Sequence, residues 1–122
     1  MDPRHGSNWA AVGDAQRALG RMELARAAYA RGAELAKPEE AVAIALRRAR
    51  LESEDAKDVA AALALLEAAG ARNNDARLWV RAGDLLLERG EREKARGYFE
   101  RALALRPGDA QIVKRLEAAK GL

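Results

Sequence analysis

Two stretches of this chain repeat each other at a fixed distance. Trp9, Gly13, Gly20, Ala25 and Tyr29 are answered, each 70 residues later, by Trp79, Gly83, Gly90, Ala95 and Phe99. A fixed internal period means stacked copies of one supersecondary unit, each covering the apolar face of its neighbour. The offset halves to about 35, the length of a helix pair. A middle copy follows: Ala62, Leu66 and Ala69 have the spacing of Ala95, Phe99 and Ala102. From Ala25 to Ala62 is 37 residues and from Ala62 to Ala95 is 33, so the middle copy carries about three extra residues, placed most simply in a turn at 52–57.

Each copy reads as two helices. Hydrophobic residues make up 49% of the 122, yet aromatics only 4%, so the core must be thin and built on small side chains. The apolar share is mostly Ala and Leu, and the polar share mostly Arg, Glu and Lys. These favour helix, and an almost wholly helical chain is expected. The outer copies predict helices over 8–19 and 22–35, and over 76–88 and 92–105. Gly20 and Gly90 sit where a helix closes with a left-handed residue. Pro107 stops the last of these helices. Gly13 and Gly83 are expected to face Ala25 and Ala95, with Tyr29 and Phe99 filling the gap towards the next unit. In the middle copy Pro38, Glu39 and Glu40 mark a helix start, because proline suits the first turn and acids suit the positive end of the dipole. That helix should reach about residue 53, and a second should span 58–69. Asp109 is a good N-cap for a last helix over 110–120, with Val113 and Leu116 inward.

The residues in these places resemble the tetratricopeptide repeat, whose pattern runs W-x₂-L-G-x₂-Y, then A-x₃-F, then P. Trp79, Ala82, Gly83, Leu86, Ala95, Phe99, Ala102 and Pro107 occupy those places in order. Trp9, Val12, Gly13, Gln16, Ala25 and Tyr29 do so in the first copy, with Gln16 replacing the aromatic. The resemblance implies an all-α, right-handed α-solenoid of about three helix pairs plus a C-terminal capping helix. The expected layout is a flexible terminus at 1–7, repeats at 8–38, 39–75 and 76–108, and a cap at 109–120. It also implies a protein-interaction module, an adaptor, scaffold or assembly factor, whose first helices line a concave groove for a partner's peptide or helix. Residues flanking the core stripe should face that groove: Ala10, Asp14 and Arg17, then Leu46, Arg47 and Arg50, then Arg77, Val80, Arg81, Asp84 and Leu87, with Lys114 on the cap. An apolar floor of Ala10, Leu46 and Val80 with arginine rims suits a peptide with apolar anchors and acidic character. Chaperone-binding members grip a terminal carboxylate with a Lys and Asn pair one turn apart on the first helix. Here Ala10 and Asp14 hold those places, and Asp14 would repel a carboxylate.

Nothing in the chain points to catalysis. His5 is the only histidine and there is no cysteine, so a zinc site lacks its ligands. The glycines at 13, 20, 83 and 90 lie at repeat spacing, not in a phosphate loop. Acids such as Glu39 and Glu40, or Glu52, Glu54 and Asp55, read as helix-start and turn acids in water. No cofactor, metal or small-molecule substrate is expected. The charges, 22 basic against 19 acidic, are mixed like a solvated surface, and Asp14, Asp84 and Glu88 on the groove face speak against nucleic acid. The longest uncharged apolar run, 59–66, is too short to span a bilayer. The cytoplasm is the expected compartment, with the periplasm or a place in a larger membrane-associated protein as alternatives. The chain is expected to be monomeric or weakly self-associating. An alternative to the adaptor reading is a self-associating or spacer segment of a larger protein, with Ile112 and Leu122 exposed on the terminal helix to favour stacking.

Overall fold

A computed structural model describes residues 5–121. Among these residues seven α-helices follow one another: α1 (Gly6–Ala18), α2 (Met22–Leu35), α3 (Pro38–Arg50), α4 (Val59–Asn73), α5 (Ala76–Glu88), α6 (Arg92–Leu105) and α7 (Ala110–Ala119). No strand occurs among the described residues. The fold is all-α and built of repeated helix pairs. The boundaries of α1 and α2 recur 70 residues on in α5 and α6 (6 and 76, 18 and 88, 22 and 92, 35 and 105).

The turns explain this. Gly20 and Gly90 have φ of 75° and 78°. The next amides, Arg21 and Glu91, donate to the Gln16 and Leu86 carbonyls at 2.9 Å, five residues back. This is the Schellman closure, and it satisfies carbonyls that a helix end leaves open. The middle pair closes differently. After α3 the chain makes a π-helical turn, Leu51–Asp55, and Lys57 then takes a φ of 58°. The extra residues of this copy lie in that turn and the short link behind it. Asp75 and Asp109 cap α5 and α7, accepting backbone N–H bonds from Arg77 and from Gln111 and Ile112.

Residues 1–4 and Leu122 lie outside the described residues. Of the terminus expected to be flexible, Gly6 and Ser7 belong to α1. A Cβ at Gly6 would come within 2.8 Å of the Gly32 carbonyl oxygen and 2.9 Å of Ala36 Cβ, so the helix start lies against the end of α2. The Ser7 amide donates to Glu40 at 2.9 Å, so this acid from the next helix serves the first turn of α1.

The chain divides into two compact units, one up to Leu65 and one from Leu66 on. In the N-terminal unit Ala10, Ala25, Tyr29, Ile44 and Leu51 form the core. A Cβ at Gly13 would collide with the Tyr29 ring. In the C-terminal unit a Cβ at Gly83 would lie 2.5 Å from the Phe99 ring, and one at Gly70 2.5 Å from the Trp79 ring. The nearest neighbours of Gly13 and Gly83 are thus the rings of Tyr29 and Phe99. Each glycine seats the aromatic ring of its own pair's second helix, one turn beyond the alanine, because a flat ring fills the gap between close backbones better than a methyl does. Ala25, Ala62, Leu66, Ala95 and Ala102 are fully buried.

The last helix is also corrected. Ile112 is buried beside Ala76, Trp79 and Ala102, not exposed, while Val113 and Leu116 are half-buried.

Candidate functional site

In the N-terminal unit α1, α3 and the π-helical turn surround an open pocket of about 420 Å³, lined by Asp14, Arg17, Ala18, Arg47, Arg50 and Asp55. Four of these were expected to face a partner. They are placed together, but they are not unoccupied. Arg17 donates its Nε to Asp55 Oδ2 at 2.5 Å and a terminal nitrogen to Asp55 Oδ1 at 3.0 Å, and it reaches Glu54 at 2.9 Å. Arg47 donates to Asp14 Oδ2 at 3.0 Å. The other oxygen of Asp14 accepts the Tyr29 hydroxyl at 2.5 Å. Burial, reinforced by that bond, pushes the Tyr29 phenol well above its ordinary range. Arg50 is held least, 4.0 Å from Glu54 and 60% exposed. Three guanidinium groups thus meet three carboxylates, and the pocket is charge-compensated.

The twin hydrogen bonds from Arg17 hold the Asp55 carboxyl below the usual carboxylate range, against the opposing effect of burial. Its contribution to folding is fully present above the unfolded pKa of about 3.9 and lost as pH falls through the lower folded value. On acidification below about pH 4 the wild type should lose stability more steeply than Asp55→Asn. Urea midpoints measured between pH 5 and pH 2.5 check this, and parallel slopes would count against the pairing.

In the C-terminal unit the expected row lies on α5 and α7. Arg77 bonds its own helix cap, Asp75, at 2.8 and 3.1 Å. Asp84 accepts from Arg115 at 2.9 Å. Val80 packs against the Trp79 cluster. Arg81 and Leu87 are half-buried and Lys114 is exposed.

Residues 7–44 match one tetratricopeptide repeat profile and residues 76–109 match another, together more than half of the chain. The chain belongs to the tetratricopeptide repeat family. No curated protein matches it. Tetratricopeptide repeats are in general protein-interaction modules, and the family is in general non-catalytic.

Within this tetratricopeptide frame several expected site residues have other duties. Ala10 is 3% exposed and belongs to the core, so it cannot floor a groove. It lies on the stripe that meets α2 and α3, not beside it. Asp14 and Asp84, equivalent positions of the two outer repeats, each bind an arginine on the helix that follows their own pair, Arg47 on α3 and Arg115 on α7, 33 and 31 residues on. These ties join the first helix of a pair to the next helix after that pair. The signal was present in the sequence: an acid at one repeat position, answered about one repeat later by an arginine.

The acids of the turn are corrected too. Glu52, read as a solvated turn residue, is 5% exposed and takes two bonds from Arg26 on α2, at 2.8 and 2.7 Å. Neither residue stands out in the sequence from the charges around it. Tyr98, Arg101 and Glu67, which line a second pocket, were also missed, because they have no counterpart in the repeat pattern.

Proposed function

We propose that this tetratricopeptide repeat chain is a non-enzymatic adaptor, scaffold or assembly factor. It binds an extended peptide or a helix of a partner protein along the α1/α3 face of the N-terminal unit. One observation supports this most: the open pocket where the first helices of two successive pairs lie side by side, with Arg47 and Arg50 at its edge. The half-buried Leu46 adds apolar surface. Charge compensation within the pocket makes it a poor clamp for an isolated carboxylate. An acidic side chain gains most at Arg50, the cation its own neighbours hold least, beside an apolar anchor over Leu46. In the C-terminal unit Arg77, Arg81, Leu87 and Lys114 form the corresponding row. Among the described residues no helix is long and apolar enough to cross a membrane.

A second reading rests on Leu19 and Leu24. They are 63% and 54% exposed and flank the Gly20 turn, an apolar tip suited to self-association.

Selection from a displayed peptide library on the full chain, followed by fluorescence anisotropy, tests the first reading. Enriched peptides should carry an acid next to an apolar residue. Arg50→Glu should weaken their binding about tenfold, through lost attraction and new repulsion, with thermal unfolding unchanged. Unaltered binding by Arg50→Glu would remove the α1/α3 face as the site. If the chain then also showed concentration-dependent sedimentation, self-association would be the better reading.

A further inference from the structure

Gly97 lies inside α6, with ordinary helical backbone, where glycine is less favourable than alanine. The other glycines inside described helices have a reason to lack a side chain. A Cβ at Gly6, Gly13, Gly32, Gly70 or Gly83 would meet a neighbour at 3.0 Å or less. At Gly97 it would meet nothing within 4 Å. Nothing inside the fold requires this glycine.

The space beside it is structured. Lys94, Gly97, Tyr98 and Arg101 follow one another at i, i+3, i+4 and i+7, one face of α6, and with Glu67 of α4 they line an open pocket of about 260 Å³. The Tyr98 ring stacks on Trp79, with centroids 5.9 Å apart and planes 15° from parallel, and its hydroxyl donates to Glu67. Held at both ends, the ring is a rigid apolar wall. The Arg101 guanidinium lies over Trp79, 4.9 Å from the ring centroid, and pairs with no carboxylate among the described residues. Lys94 is 71% exposed and, among the described residues, pairs only with Glu91, the N-cap residue of α6, at 3.6 Å. The pocket's single acid, Glu67, is committed to Tyr98. Two cations about 10 Å apart along the helix axis therefore flank a notch with an aromatic wall.

We propose that the α4/α6 face of the C-terminal unit docks an acidic amphipathic helix of a partner protein, with apolar residues seated in the Gly97 notch against Tyr98 and an acid at each side meeting Lys94 and Arg101. Charge complementarity selects the occupant. Two cations one heptad apart call for two acids at the same spacing, and the missing side chain at Gly97 lets the partner's backbone approach. This surface belongs to second helices and is separate from the α1/α3 face.

The test uses the full chain and three stapled helical peptides carrying Glu-x-x-Leu-Leu-x-x-Glu, or Lys or Gln in place of both Glu. The Glu peptide should shift the amide resonances of Lys94, Gly97, Tyr98 and Arg101 and bind at least about tenfold more tightly than either counterpart. Gly97→Gln should abolish those shifts while the melting temperature stays level or rises, since the variant improves helix propensity and its Cβ has no neighbour within 4 Å. Arg50→Glu should leave them unchanged, which separates this site from the α1/α3 face. Equal binding of the three peptides, binding that survives Gly97→Gln, or no binding up to millimolar peptide would overturn the proposal. So would stronger shifts of the same amides by a single-stranded RNA oligomer, and so would their disappearance into a dimer contact on raising protein concentration.

Discussion

Trp79→Ala should destabilise the C-terminal unit by about 3–5 kcal/mol, the usual range for removing a large buried aromatic. The ring is 8% exposed and sits among Ala76, Ala102 and Ile112. The neighbours that could collapse into the void are the wrong kind. Gly70, which lies flat against the ring, has no side chain to extend, and Ala102 has only a methyl. Tyr98 would lose its stacking partner and Arg101 the ring beneath its guanidinium, so both would turn into water. Poor relaxation is the condition under which a deletion reaches the upper part of that range. Urea unfolding followed by circular dichroism gives the size. Trp9, then the only tryptophan, reports the N-terminal unit by fluorescence. A loss below about 1 kcal/mol would mean that the ring is not packed as described.

The helix pairs were legible because their signals are local. Glycine at a left-handed closure, proline after a helix and aspartate before one each act on the few residues beside them, and a period of 70 repeated them. What each glycine faces was not local. The spacing of Gly13 and Ala25 puts both on facing stripes, but only packed backbones decide that the Tyr29 ring takes the space over Gly13. The site suffered most. A charged residue looks solvated in a sequence, whatever it holds in the fold. Asp14, counted as a groove residue, takes the hydroxyl of a buried tyrosine and ties α1 to α3. Ile112 and Val113 are adjacent and both apolar, and which one turns inward depends on how α7 lies on α5 and α6. The middle repeat was readable in length but not in shape. Three surplus residues fit a longer loop as well as a π-helical turn, and the choice is made by Leu51, fully buried, and by Glu52 reaching Arg26.

Arg26→Ala should cost roughly 3 kcal/mol, at the low end of what breaking a buried pair costs, because Arg26 itself keeps 26% of its side-chain surface in water. The loss arises chiefly from what remains. Glu52 is held at 5% exposure by the buried Leu51 beside it, and without the guanidinium its two oxygens would have neither counter-charge nor donors there. Glu52 would have to drag the turn open to reach water, and the turn also carries Glu54 and Asp55 towards Arg17. Local opening should therefore accompany the global loss, seen as faster amide hydrogen exchange in residues 51–58. The Arg26→Met/Glu52→Met double variant separates this account from a simple sum of contacts. If stranded charge is the main cost, the double variant should be within about 1 kcal/mol of the wild type, since an apolar pair of similar length needs neither counter-charge nor donors. If it is instead as unstable as Arg26→Ala, the pair itself stabilises the turn, and the acids of the π-helical segment serve the fold by attraction as well as by avoiding a penalty.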